Sequence, residues 1–282
     1  MTQVPRHVLI PRAYQRLGSE RPVRRWRLLD AIGDLAALLE LIYSTDQVVV
    51  RIGGVRPEEQ SVGAECTGAP TAMSSGAGLL AVALQDLRLE PGDRFLEVGA
   101  CTGYLCALAA WLTGRQVTGV EIDWSLVRET GPRLAQAGAD VWLLARDAER
   151  GLPDGTWDKI TASFAVPSIP ASWLHRLAPG GRLRTTINGG APGWHATALV
   201  QRGIAGALTG TLTAELWGHV PSRRVGWLPV PSPPDGPGRT RCAVLPPPAH
   251  TARLLGGGGP SAARGAALLG SGRQRRGGPR RG

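Results

Sequence analysis

Apolar positions along the chain change period as it proceeds. Trp26, Leu28, Leu29, Ile32, Leu35, Leu38, Leu39 and Ile42 recur at helical spacing, which predicts one amphipathic helix. Val48–Ile52 then reads as a short strand, ended by Gly53-Gly54. Beyond residue 71 the pattern alternates. Residues 78–89, 104–112, 125–137 and 170–177 predict helices; 94–98, 117–122, 141–144, 159–164 and 182–187 predict strands. Repeated βα units of this length give a mainly parallel sheet covered by helices on both faces. Residues 197–201 and 211–217 are expected to close it as an antiparallel pair.

Three regions follow: an N-terminal extension over 1–68, an α/β domain over 69–230, and a tail over 231–282. Gly and Pro supply 21 residues of the tail, whose apolar positions hold no period, so it is expected to be disordered. The tail also holds nine arginines and a single acid, which changes the meaning of the +10 net charge. Residues 1–230 carry only +2, so the folded part gives no basic signature of nucleic-acid binding, and any such binding is confined to the tail.

The four cysteines, Cys66, Cys101, Cys106 and Cys242, form no CxxC pair and no zinc-finger spacing with histidine, so free thiols in a reducing cytoplasm and no metal are expected. No signal-like start and no apolar run of about 18 residues appears, which argues against secretion or membrane spanning.

The candidate chemistry begins at Phe95-Leu96-Glu97-Val98-Gly99-Ala100-Cys101-Thr102-Gly103-Tyr104. A buried strand enters a turn with glycines at 99 and 103, where a backbone without Cβ can pass close to a ligand, and a helix starts behind it. Glu121 ends the next strand, 24 residues after Glu97, where a carboxylate can accept both ribose hydroxyls of an adenosine ligand. Asp147 follows the third strand, within reach of the adenine amino group. The plain alternative is that Glu121 and Asp147 are ordinary loop acids. A dinucleotide site fits less well. Its G-x-G-x-x-G is broken by Cys101, and Glu97 has no part in holding a pyrophosphate. Glu97 suits a cationic amino-acid group or the amides of its own loop.

On these residues the chain resembles the protein-L-isoaspartate O-methyltransferase family, from Val4 to about Asn188. Val4-Pro5-Arg6-His7-Val8-Leu9-Ile10-Pro11 is similar to the family's V-P-R-x-x-F-V-P, and Leu96 to Tyr104 to its L-E-I-G-T-G-S-G-Y. Trp157-Asp158-Lys159-Ile160, Ala165-Val166-Pro167-Ser168-Ile169-Pro170 and Leu177-Ala178-Pro179-Gly180-Gly181-Arg182-Leu183 resemble F-D-x-I, A-x-P-x-I-P and L-x-P-G-G-R-L in the right order. The last segment is common to many methyltransferases; the A-x-P-x-I-P and V-P-R segments are more diagnostic. The resemblance implies a Rossmann-like class I methyltransferase fold that uses S-adenosylmethionine. Glu97, Gly99, Ala100, Thr102, Gly103, Glu121, Asp147 and Ser163 would contact the cofactor. Ser75 would orient an acceptor carboxylate on a peptide or protein bearing Asp or isoaspartate.

The family's T-I-S-Q-P substrate segment becomes Met73-Ser74-Ser75-Gly76-Ala77, so only Ser75 is retained. Together with Pro70-Thr71 and Ile42-Tyr43-Ser44-Thr45-Asp46, this looks like a divergent branch that modifies ribosomally made peptides. Ser75 has a structural alternative as the N-cap of the helix that follows. A carboxylate acceptor is already ionised at pH 7, so no general base is expected. The five histidines are scattered, with no His-Asp pair. Trp194, Trp217 and Trp227 line a peptide groove in one reading and pack the core in another. Competing functions are methylation of RNA or of a small molecule, and an inactive peptide-binding homologue. Ser163-Phe164-Ala165-Val166-Pro167 lacks the Pro-Pro-aromatic motif that RNA base methylation uses, which counts against the RNA acceptor.

Overall fold

The computed structural model describes residues 3–18, 24–188 and 195–215. In chain order these form α1 (Arg6–Leu9), β1 (Arg12–Leu17), β2 (Arg25–Asp30), α2 (Leu35–Ile42), β3 (Val48–Ile52), β4 (Glu65–Thr67), β5 (Pro70–Ser74) and α3 (Ala77–Leu87). There follow β6 (Phe95–Val98), α4 (Tyr104–Thr113), β7 (Val117–Glu121), α5 (Trp124–Gln136), β8 (Val141–Ala145), β9 (Trp157–Val166), α6 (Ala171–His175), β10 (Leu177–Asn188), β11 (His195–Arg202) and β12 (Leu208–Glu215). Trp194, Trp217, Trp227 and the 231–282 tail lie outside the described residues.

Seven strands make the larger sheet, in the order β12-β11-β10-β9-β6-β7-β8. The strands from β10 to β8 are parallel, and β11 and β12 close the sheet antiparallel. Alternation along β6 builds both cores. Phe95 packs with α3 and α4 residues such as Leu80, Leu87, Leu105 and Leu108. Leu96 and Val98 face the opposite layer with Trp173 and Leu174 of α6. The α4 sequence YLCALAAWLT combines strong helix formers with apolar side chains on most sides, which suits its eight buried residues. Gly114, in the left-handed conformation, ends it. Chain order reverses on either side of β6, so the switch point between β6 and β9 opens at the strands' carboxyl ends.

The N-terminal part corrects the pattern reading. Residues 26–42 do not form one helix; they divide into β2 and α2. In β2, Trp26 and Leu28 are buried while Arg25 and Arg27 are exposed, a period of two. The Asp30 carboxylate then accepts N–H bonds from Ile32 and Gly33, which turns the chain, and Asp34 caps α2 through the Ala37 amide. Ile32 and Leu35, expected on the buried face, are 91% and 50% exposed. The sequence did not announce the outcome, a five-stranded antiparallel sheet ordered β4-β2-β1-β3-β5. Strand β3 matches its expected bounds, and the remaining elements differ mainly at their ends. The predicted 170–177 helix shortens to α6 because Leu177 begins β10.

Candidate functional site

The turn between β6 and α4 is tied down by its own backbone. The Gly99 and Ala100 amides both donate to the Val120 carbonyl, at 2.7 and 3.1 Å, and the Gly103 amide donates to the Ala100 carbonyl at 2.7 Å. Gly99, Cys101 and Gly103 have φ of 83°, 48° and 70°. Cys101 therefore takes a left-handed conformation that disfavours a Cβ. A Cβ on Gly99 would meet the Phe164 ring at 2.7 Å, and one on Gly103 would meet Thr130 at 2.9 Å. Packing of the turn on β9 and α5 thus requires both glycines, a reason separate from the ligand approach expected of them.

Two buried carboxylates flank the turn. Glu97, 3% exposed, accepts the Ser163 hydroxyl at 2.5 Å and the Cys106 thiol at 3.0 Å. It is thereby tied to the first turn of α4. Burial pushes its acid up to about 7, and the Ser163 and Cys106 bonds hold it from going higher. Glu121 accepts the Cys101 amide on Oε2 at 2.9 Å, and the Ile122 and Asp123 amides on Oε1 at 2.8 and 3.0 Å. Burial raises this acid too, with the amide bonds opposing. A carboxylate has about four acceptor positions, so one remains, on the Oε2 side, rather than the pair needed for two ribose hydroxyls.

Asp147 stands at the carboxyl end of β8 and accepts the Glu149 amide at 3.0 Å. Its side chain is 29% exposed, and the Arg146 amide next to it bonds the Glu121 carbonyl at 2.8 Å, so the loops after β7 and β8 adjoin. Ala100 and Thr102 are buried in the turn. Ser75 does not cap α3. The N-cap is Gly76, with no side-chain bond. Glycine is required there because a Cβ would lie 2.1 Å from the Thr45 carbonyl oxygen.

The pattern reading missed several polar residues around this site. Ser74, buried, bonds the Thr102 hydroxyl at 3.2 Å. Arg6 donates from Nη2 to that same Ser74 hydroxyl at 3.2 Å and to the Ser75 carbonyl at 2.6 Å, with its guanidinium 4.9 Å over the Tyr104 ring. Arg51 of β3 enters from the smaller sheet and donates to Asp123 at 2.6 Å, Ser125 at 2.7 Å and Glu129 at 2.8 Å. The signal for Arg51 was present: a charged residue inside the apolar strand VVVRI. Arg6 was quoted only as part of a motif. Among the described residues no three His, Cys, Asp or Glu side chains converge as a metal site, and no helix is long and apolar enough to cross a membrane.

Comparison with known proteins bears on this geometry. Residues 58–196 match the family model of protein-L-isoaspartate(D-aspartate) O-methyltransferase. That stretch contains Ser75, the glycine turn, Glu121, Asp147 and Ser163, whereas Arg6 and Arg51 precede it. A protein-L-isoaspartate O-methyltransferase of Methylorubrum populi is 36% identical over 116 residues, covering 41% of this chain and 53% of that protein. One from Anaeromyxobacter dehalogenans is 36% identical over 131 residues, covering 45% of this chain and 62% of that protein. The chain thus spans about half the length of the curated relatives it matches. A solved protein-L-isoaspartate O-methyltransferase is 24% identical, with a TM-score of 0.50, covering 54% of this chain and 48% of the other. The larger sheet has the Rossmann-like class I methyltransferase fold, as expected.

Proposed function

We propose that this chain is an S-adenosylmethionine-dependent methyltransferase whose acceptor is the carboxylate of an aspartyl or isoaspartyl residue in a peptide or protein. One conjunction carries the reading: the stretch that matches the family contains a switch-point turn whose Gly99, Ala100, Cys101 and Gly103 amides are spent internally and whose flanking groups are buried acids. A pyrophosphate needs free amides, and those of Gly99, Ala100, Cys101 and Gly103 are already given to the Val120 carbonyl, the Glu121 carboxylate and the Ala100 carbonyl. An adenosyl ligand bearing a cationic sulfonium suits acidic walls better.

S-adenosylmethionine, when bound, supplies a methyl group activated on sulfur. In this reading the remaining acceptor position of Glu121 takes one ribose hydroxyl, and Asp147 takes the adenine amino group. The Gly99, Ala100, Thr102 and Gly103 backbone lines the amino-acid end, and Ser163 holds Glu97 in place beneath it. Ser75, its hydroxyl free of capping duty, orients the acceptor. A carboxylate with a pKa near 4 is ionised at pH 7. The protein's work is therefore alignment of oxygen, methyl carbon and sulfur, and such positioning supplies several kcal/mol. In the methyl ester a neighbouring backbone amide nitrogen attacks the carbonyl and releases methanol, closing a succinimide. The Ser-rich Met73-Ser74-Ser75 segment favours the branch that matures ribosomally made peptides over general repair.

Calorimetry with S-adenosylmethionine, followed by incubation with an isoaspartyl peptide and an Asp-containing peptide, tests this. Saturable binding and a mass gain of one methyl on either peptide are expected, and which peptide gains it decides between repair and maturation. Absence of saturable cofactor binding sinks the reading.

A further inference from the structure

Arg6 is 1% exposed, yet Nε and Nη1 have no partner. Three of its five N–H donors are thus unspent in a place closed to water. No carboxylate among the described residues pairs with it, and the aromatic group against its charge is the Tyr104 ring, 4.9 Å from the guanidinium. Burial itself works against that charge. A cation left buried without a counter-charge is costly. Stacking on Tyr104 offsets only part of that cost.

Position gives these unspent donors a meaning. Arg6, Ser74 and Thr102 form a bonded chain from α1 to the glycine turn, and Arg6 also grips the carbonyl of Ser75. Guanidinium and hydroxyl together form the donor set that a carboxylate takes up. We infer that Arg6, with the Ser74 hydroxyl, is the receptor for a carboxylate of the methyl-transfer site. This rests on the reading proposed above and adds a binding residue to it. The carboxylate comes either from the amino-acid end of the methyl donor or from the acceptor peptide. Because the unspent nitrogens are shut off from solvent, the anion reaches them only as α1 shifts, so binding includes a conformational step.

The wild-type chain, titrated calorimetrically, distinguishes the two sources. S-adenosylmethionine is compared with its decarboxylated analogue, and an isoaspartyl peptide with its methyl ester. One of the two pairs is expected to differ by roughly tenfold or more, the value of a charge-assisted bond. Arg6→Met should erase that difference, with Arg6→Lys restoring part of it. If S-adenosylmethionine binds yet neither carboxylate matters in the wild type, or Arg6→Met leaves the difference intact, the inference is overturned and the methyltransferase reading survives. If S-adenosylmethionine does not bind at all, that reading fails and the inference falls with it.

Discussion

The N-terminal part sends two arginines into the molecule, and their surroundings differ. Arg51, on β3, reaches the start of α5 and finds Asp123, Ser125 and Glu129 within 2.8 Å. Arg6, on α1, reaches Ser74 and Ser75 beside the glycine turn and finds two hydrogen-bond acceptors but, among the described residues, no charge of opposite sign. Both guanidinium groups are almost wholly buried. The first region gives its cation two carboxylates, although Arg51 Nε also lacks a partner, and it fastens the smaller sheet to the helix behind Glu121. The second is incomplete in the folded chain. A structural ion cluster supplies its own counter-charges, whereas a region that receives a ligand can be left for the ligand to supply them.

Breaking the paired side should have the largest effect. Arg51→Met strands two carboxylates in a buried place and is expected to destabilise by about 3–5 kcal/mol, read from urea unfolding; a loss below about 1 kcal/mol would mean the cluster does not hold the layers together.

Glu97 sharpens the contrast, because no arginine among the described residues reaches it. Its acid stands near 7 in the folded chain against an ordinary 4.5, so the fold binds this proton more tightly than the unfolded chain does. The resulting stability is present below about pH 4.5 and lost as pH rises through 7. Glu97→Gln should flatten that slope, gaining roughly 1–3 kcal/mol on the wild type between pH 5 and 8 in melts across that range. Parallel slopes would rule out Glu97 as their source.

Glu121→Ala is expected to weaken S-adenosylmethionine binding by about 1–3 kcal/mol by calorimetry, while stranding the Cys101, Ile122 and Asp123 amides. Unchanged affinity would remove its ribose role. The smallest effect belongs to Cys101→Gly, which should preserve cofactor binding and relieve a left-handed backbone, gaining up to about 1 kcal/mol of stability. A large loss would mean that the turn is built around the thiol.

Much of the larger sheet was legible because its strands are short apolar runs that alternate with helix-period segments, as in Val117–Glu121 and Val141–Ala145 on either side of α5. The β2 region was not. Trp26, Leu28 and Leu29 satisfy both a helical and a strand template, and only the Asp30 turn and the pairing with β1 decide between them. The glycine turn and Glu121 were readable from spacing within one βα unit. Arg6 and Ser74 were not, since their contact spans 68 positions and no local period encodes it.

Cys101 also bears on chemical safety. In the proposed function, a sulfur anion in the turn beside the methyl donor would be alkylated by it. Desolvation first, then the negative Glu121 and Glu97, push this thiol well above its ordinary range and keep it in the unreactive S–H form. The acids proposed to favour a positively charged guest therefore also quiet the thiol of the turn, and iodoacetamide should label Cys101 slowly even at alkaline pH.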